Sequence, residues 1–273
     1  MDRERFSKVE QSFFDRSGRK KITSKMPYLV VRNFPSLGLL TALRFLEWVG
    51  ENPEGVISLP TGKTPEYFIK WTQYLLKNWD KPAAVKIREE NGLFLKSKPS
   101  LRGLHFVQID EFYPINPRQH NSFYDYVSKY YIEGFDLDPS RALLINTEEI
   151  ILAEGKHYSE VFPDNLIDLS LRNREAMNPY ERLQQESIFR IDNWCTGYER
   201  KIRALGGIGF FLGGIGPDGH IAFNTRGSDH NSATRLTATN FETQAASAGD
   251  LGGIEVSRTR LVITIGLDRK SVV

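Results

Sequence analysis

Apolar positions along this chain alternate between short continuous runs and longer stretches with three- and four-residue spacing. The runs at 55–59 (GVISL), 104–109 (LHFVQI), 142–146 (ALLIN), 207–212 (GIGFFL) and 260–267 (RLVITIGL) predict buried strands. Between them, 37–50, 64–79, 122–135 and about 180–205 have the spacing of helices that bury one face. Gly50 is placed to end the first helix; Thr64 is placed to cap the second, with Pro65 at its first position. A polar N-terminal stretch carries Phe6, Val9, Phe13 and Phe14, which predicts a helix lying on the domain. Strands alternating with helices imply βαβ units. The expected fold is therefore α/β: a Rossmann-like, doubly wound, mostly parallel sheet with flanking helices. Residues 80–103 are charged and irregular and 147–180 lack periodicity, so both read as insertions in a domain over 28–273, with 1–27 as an N-terminal extension.

Composition narrows the function classes. The 273 residues carry a formal net charge of only +2, so no global basic field recruits nucleic acid. The one cationic cluster, RSGRKKITSK at 16–25, reads as a solvated extension, with a polyanion-binding arm as the alternative. A single cysteine, Cys195, allows no internal disulfide and fits a reducing compartment. The N-terminus is too charged for a signal peptide and no apolar run is long enough to span a bilayer, so a cytoplasmic protein without membrane association is expected.

Three loops carry the candidate chemistry, each at the carboxyl end of an expected strand, where open parallel sheets bind ligands. The first, LPTGKTP at 59–65, brings Thr61, Gly62, Lys63 and Thr64 to a helix start, a ready anion site. A P-loop is excluded, because Ile57 stands where that motif needs glycine. The bland alternative is a tight turn with Thr64 as a simple cap. In the second, Asp110 and Glu111 follow an apolar strand; alternation puts them on opposite faces, so at most one points at a ligand. A carboxylate there serves as a general base, or else as a helix cap or a partner for Arg118. The third is GGIGPDGHIAFN at 213–224. Gly214, Gly216 and Gly219 let a ligand approach the backbone, and Asp218 stands two residues before His220. An aspartate beside an imidazole fixes its tautomer and makes it an acid/base candidate. A buried structural histidine is one alternative; a metal site using Asp229 and His230 is the other, but three well-placed ligands are not apparent and no metal is expected.

Taken together, LPTGKTP, IDEFYPINPRQHNSFYDYV and GGIGPDGHIAFN resemble the phosphate loop, the MDEY segment and the GGxGxDGHIAFN loop of the glucosamine-6-phosphate deaminase (isomerase) family. The continuation IAFN separates them from the related 6-phosphogluconolactonases. The resemblance implies conversion of glucosamine 6-phosphate to fructose 6-phosphate and ammonia without a cofactor. It implies Asp110 as the base moving a proton between C2 and C1, and His220, oriented by Asp218, as the ring-opening shuttle. Thr61 to Thr64 would hold the sugar phosphate, with Gly214, Gly216 and Gly219 against the sugar.

Besides Lys63, which replaces a glycine of the family's LPTGGTP phosphate loop, two positions depart from the resembled pattern. Thr225 stands where the family has a glutamate that helps hold the histidine, and Thr237 stands where it has a basic residue two positions after Arg235. A hydroxyl carries no charge to stabilise an imidazolium. A catalytically impaired sugar-phosphate-binding sensor or module is therefore a second reading, and a lactonase-like hydrolase a third. The family continues past the last strand, whereas only DRKSVV follows here, so the C-terminus reads as truncated. An exposed sheet face would then favour a homo-oligomer.

Overall fold

The computed structural model describes residues 6–17 and 28–267. Most of the basic cluster and the DRKSVV tail lie outside the described residues. The chain divides into two compact units, one comprising residues up to Gly55, Thr61–Leu104 and Lys129–Arg141, the other Val56–Pro60, His105–Ser128 and Ala142 onward.

The first unit is helical. Helix α1 (Lys8–Ser17) buries Val9, whose N–H donates to Glu47. Helix α2 (Phe34–Glu51) starts at Asn33, whose side chain accepts from the Ser36 N–H, with Pro35 in its first turn. Helix α3 (Glu66–Lys77) begins later than its sequence suggests: Pro65 occupies the cap position and no side chain caps it, so Thr64 is not the cap. Phe45, Phe68 and Phe135 meet with ring centroids 5.6–6.1 Å apart and close this unit's centre. Within the charged stretch 80–103 lies helix α4 (Pro82–Glu90), fastened by Arg88, which stacks on Trp79 and donates to its carbonyl. The aromatic stretch after Ser122 splits into α5 (Phe123–Val127), which belongs to the second unit, and a π-helical turn, Ser128–Glu133.

The second unit holds the sheets. Strands β1 (Val56–Ser58), β2 (His105–Val107), β4 (Ala142–Leu143) and β5 (Phe210–Phe211) form a parallel sheet in the order β4-β2-β1-β5. Helix α7 (Pro179–Ala204) is capped by Asn178 and buries Ile188, Ile191, Cys195, Tyr198 and Ile202 in one cluster with Val56, Val107 and Ile109. Segment 147–180 is a chain of short helical turns, including α6 (Tyr158–Val161), that adds Ile150, Leu152, Phe162 and Leu171 to the same cluster. An α/β fold with a parallel sheet and flanking helices is the expected class.

A second sheet departs from the alternating scheme. Strand β3 (Asp110–Tyr113), β7 (Leu261–Thr264) and β6 (Arg235–Ala238) pair antiparallel in the order β3-β7-β6. Only Gln108 and Ile109 separate β2 from β3, too little chain to cross over and re-enter the parallel sheet, so the strand runs on into a new one. Gln108 bridges the join: its side chain donates to the Asp110 carbonyl and accepts from the Ile145 N–H, both at 2.9 Å. Helices α8 (Phe241–Leu251) and α9 (Ile254–Thr259) lie between β6 and β7. No described helix is long and apolar enough to cross a membrane.

Candidate active site

The antiparallel sheet sorts the carboxylates. Alternation along β3 puts Asp110 and Phe112 on one face, Glu111 and Tyr113 on the other. Thr264 lies opposite Asp110 in the ladder and Arg235 opposite Thr264, so these side chains share a face. Phe112 and Val262 on that face pack with Phe223 and Leu251. Phe223 belongs to the glycine-rich loop, and its N–H donates to Thr264 Oγ1 at 3.1 Å. Asn224 continues the attachment, donating to the Ile265 carbonyl at 2.9 Å and accepting from Arg235 at 2.8 Å. The loop that carries Asp218 and His220 is thus docked on the face that carries Asp110.

Inside the loop the imidazole is clamped. The Gly216 N–H donates to the His220 carbonyl and the Gly219 N–H to the Gly216 carbonyl, each at 2.9 Å. Gly219 takes a φ of +86°, which a side chain would strain. At Gly216 the demand is spatial: a Cβ would lie 2.1–2.4 Å from three atoms of the His220 ring. Phe223 lies against the imidazole with centroids 5.9 Å apart and planes 24° from parallel. Gly214 is exposed with open space around it, so internal packing does not account for it.

Asp218 Oδ1 lies 2.5 Å from His220 Nδ1, and Asn240 donates from Nδ2 to the other carboxylate oxygen at 2.6 Å. Burial by itself raises the Asp218 carboxyl. Hydrogen bonds from His220, its own backbone and Asn240 outweigh that and hold it below the ordinary carboxylate range. An ionised Asp218 accepts from Nδ1–H, which leaves Nε2 as the nitrogen able to take and return a proton. Sequence reasoning missed Asn240, the N-cap residue of α8, and Thr243, whose hydroxyl lies 3.5 Å from Nδ1. The signal was an Asn followed by a helix ending at Gly252, but the small residues of α8 give little apolar periodicity.

The two acids of β3 have different fates. Glu111 accepts from the N–H groups of Phe112, Phe123 and Tyr124 and from the Ser122 hydroxyl, at 2.7–3.1 Å. It anchors the start of α5, and the helix-cap alternative is the one this residue follows. Burial raises its carboxyl to about 7, against the pull of those four donors. Asp110 has no such support: among the described residues its carboxyl makes no hydrogen bond. Burial first and the charge of Glu111 second push it up to about 8.

The structure therefore brings Asp110, Asp218, His220, Gly214, Gly216 and Gly219 into one unit. Thr61, Gly62, Lys63 and Thr64 belong to the other, where they form the exposed turn ahead of α3. Thr225 makes no side-chain hydrogen bond to His220 among the described residues; its carbonyl accepts from the Ser228 N–H. Asp229 closes a local turn by accepting from the Asn231 N–H. Among the described residues no cluster of three or more His, Cys, Asp or Glu is arranged to hold a metal.

Comparison with known proteins gives this constellation a context. A glucosamine-6-phosphate deaminase of Caenorhabditis elegans is 48% identical over 73 residues, 27% of each chain. One from Bacillus velezensis is 26% identical over 223 residues, 82% of this chain and 69% of the relative. This chain resembles the glucosamine-6-phosphate deaminases. The match spans little more than a quarter of the nematode protein's own length. No protein-family model matches the chain. Among solved structures, a monomeric glucosamine-6-phosphate deaminase of the NagB superfamily is 21% identical with a TM-score of 0.61, covering 89% of this chain and 76% of that one, so the two share a fold.

Proposed function

We propose that this protein isomerises and deaminates glucosamine 6-phosphate, with water, to fructose 6-phosphate and ammonia. The observation that carries the reading is an imidazole locked by an ionised carboxylate and docked on the same sheet face as a buried carboxyl whose pKa is raised to about 8, the range that suits a general base. The names of the relatives supply the substrate. His220 Nε2 takes the proton of the anomeric hydroxyl and delivers it to the ring oxygen, opening the sugar. Asp110 removes the C2 proton and returns it to C1, leaving an imine at C2. Water adds there and ammonia leaves. No electrons are gained or lost overall, so no redox cofactor is needed. Each proton-transfer role is worth about 10²–10⁴ in rate.

The phosphate is assigned to Thr61–Thr64 ahead of α3. No side chain caps that helix, and uncapped N–H groups with the positive end of the helix dipole suit an anion. Thr225 supports a second reading, in which the sugar phosphate binds without turnover. One pair of measurements decides between them: ammonia release from glucosamine 6-phosphate, and calorimetric binding of that sugar beside unphosphorylated glucosamine. The expected result is ammonia release with binding confined to the phosphorylated sugar. Phosphate-dependent binding without ammonia selects the second reading, and equal binding of both sugars removes the phosphate as anchor.

A further inference from the structure

We propose that Asn240 is a positioning residue for the Asp218–His220 pair. It fixes the carboxylate from the cap of α8 and so keeps the imidazole in the tautomer that presents Nε2. The amide is used at both ends. Its Oδ1 accepts from the Thr243 N–H at 3.0 Å, and its Nδ2 donates to Asp218 Oδ2 at 2.6 Å. The first contact needs an acceptor and the second a donor, so only one orientation of the amide serves both. Asp218 consequently has each oxygen engaged, one by His220 and one by Asn240, and its plane is set.

The anchor itself is firm. Thr243 is buried in the first turn of α8. The Ser247 and Ser257 hydroxyls lie 2.8 Å apart, and Ser257 donates to the Gln244 carbonyl at 2.7 Å, fastening α8 to α9. Without Asn240 the Asp218 Oδ2 loses its donor, the carboxylate gains freedom to turn about its Cβ–Cγ bond, and it holds the Nδ1–H form less firmly. Thr225 does not substitute, because its side chain makes no hydrogen bond to the imidazole among the described residues.

Residue choice at this position separates positioning from capping. Asn, Asp and Ser all cap helices well, yet only Asn combines that acceptor with an amide donor of the length seen here. Asp would set a second carboxylate against Asp218. The inference rests on the deaminase reading for its kinetic consequence, but not for its structural one.

The test uses Asn240→Ser and Asn240→Asp, both of which keep a cap for α8. The readout is the His220 tautomer, followed by ¹⁵N-resolved imidazole spectra at alkaline pH and assigned with His220→Gln. The parent is expected to hold the Nδ1–H form and both variants to show a mixture, with melting temperature little changed. If the protein is a deaminase, kcat should fall about tenfold with KM within a few fold, far less than the ~10⁴ that follows when an orienting carboxylate is itself lost. An unchanged tautomer in both variants overturns the proposal. Because that readout needs no substrate, a parent without deaminase activity would refute the functional reading and leave this one to be decided by the spectra.

Discussion

Replacing Asp110 by asparagine should make the protein more stable at alkaline pH while leaving it nearly unchanged in acid. A carboxyl whose native pKa lies above its unfolded value binds its proton more tightly in the folded chain. Below about pH 4 both states are protonated and no penalty exists; between about pH 4 and pH 8 the unfolded chain alone ionises, so stability falls as pH rises; above that the full penalty remains. The gap from 3.8 to about 8, at about 1.4 kcal/mol per pH unit, sets a ceiling of roughly 6 kcal/mol. Relaxation and water penetration reduce this, and a difference of ~2–3 kcal/mol between variant and parent is a realistic expectation. The amide resembles the protonated acid in shape and has no charge to bury. Urea unfolding followed by fluorescence suits the test, because Trp194 on α7 lies in the unit that holds Asp110 while Trp48, Trp71 and Trp79 lie in the other. A background retaining Trp194 alone reports the relevant unit. The variant's advantage should open between about pH 4 and about pH 8 and then level off. Parallel curves for variant and parent across that range would show that Asp110 ionises as an ordinary carboxyl, and the electrostatic account of the site would fail.

Two further outcomes test the site itself. Gly216→Ala forces a methyl to within 2.1–2.4 Å of the His220 ring, so the ring must leave Asp218; turnover should fall about 10²-fold while sugar-phosphate affinity stays within a few fold. Full ammonia release from that variant would show that the clamped ring position is not the active one. If Asp110 is the base, kcat/KM for glucosamine 6-phosphate should climb with pH up to about 8, because only its ionised form accepts the C2 proton. A rate that falls across that interval points to a different base.

Much of this protein follows from local sequence. The runs around Val56–Ser58, His105–Val107 and Phe210–Phe211 are apolar enough to mark strands of a parallel sheet. Helical spacing from about 180 marks α7, whose start the structure places at Pro179 behind the capping Asn178. Asp218, Gly219 and His220 are close enough in sequence that their pairing depends on one short loop, and it was legible there. The alternation that separates Asp110 from Glu111 was legible too. What alternation cannot say is which acid receives donors, because the groups around Glu111 come from Ser122, Phe123 and Tyr124, brought back by the turn into α5. The antiparallel sheet was likewise invisible. β3 continues β2 almost without a break, and its partner β7 lies some 150 residues further along the chain, a pairing that leaves no mark on the periodicity of either segment. Asn240 acquires its contact with Asp218 in the same way, from across a loop and a strand. Local spacing sets which elements form; the folded chain decides which donors surround each buried charge, and that decides which carboxyl holds a proton and which is an anion.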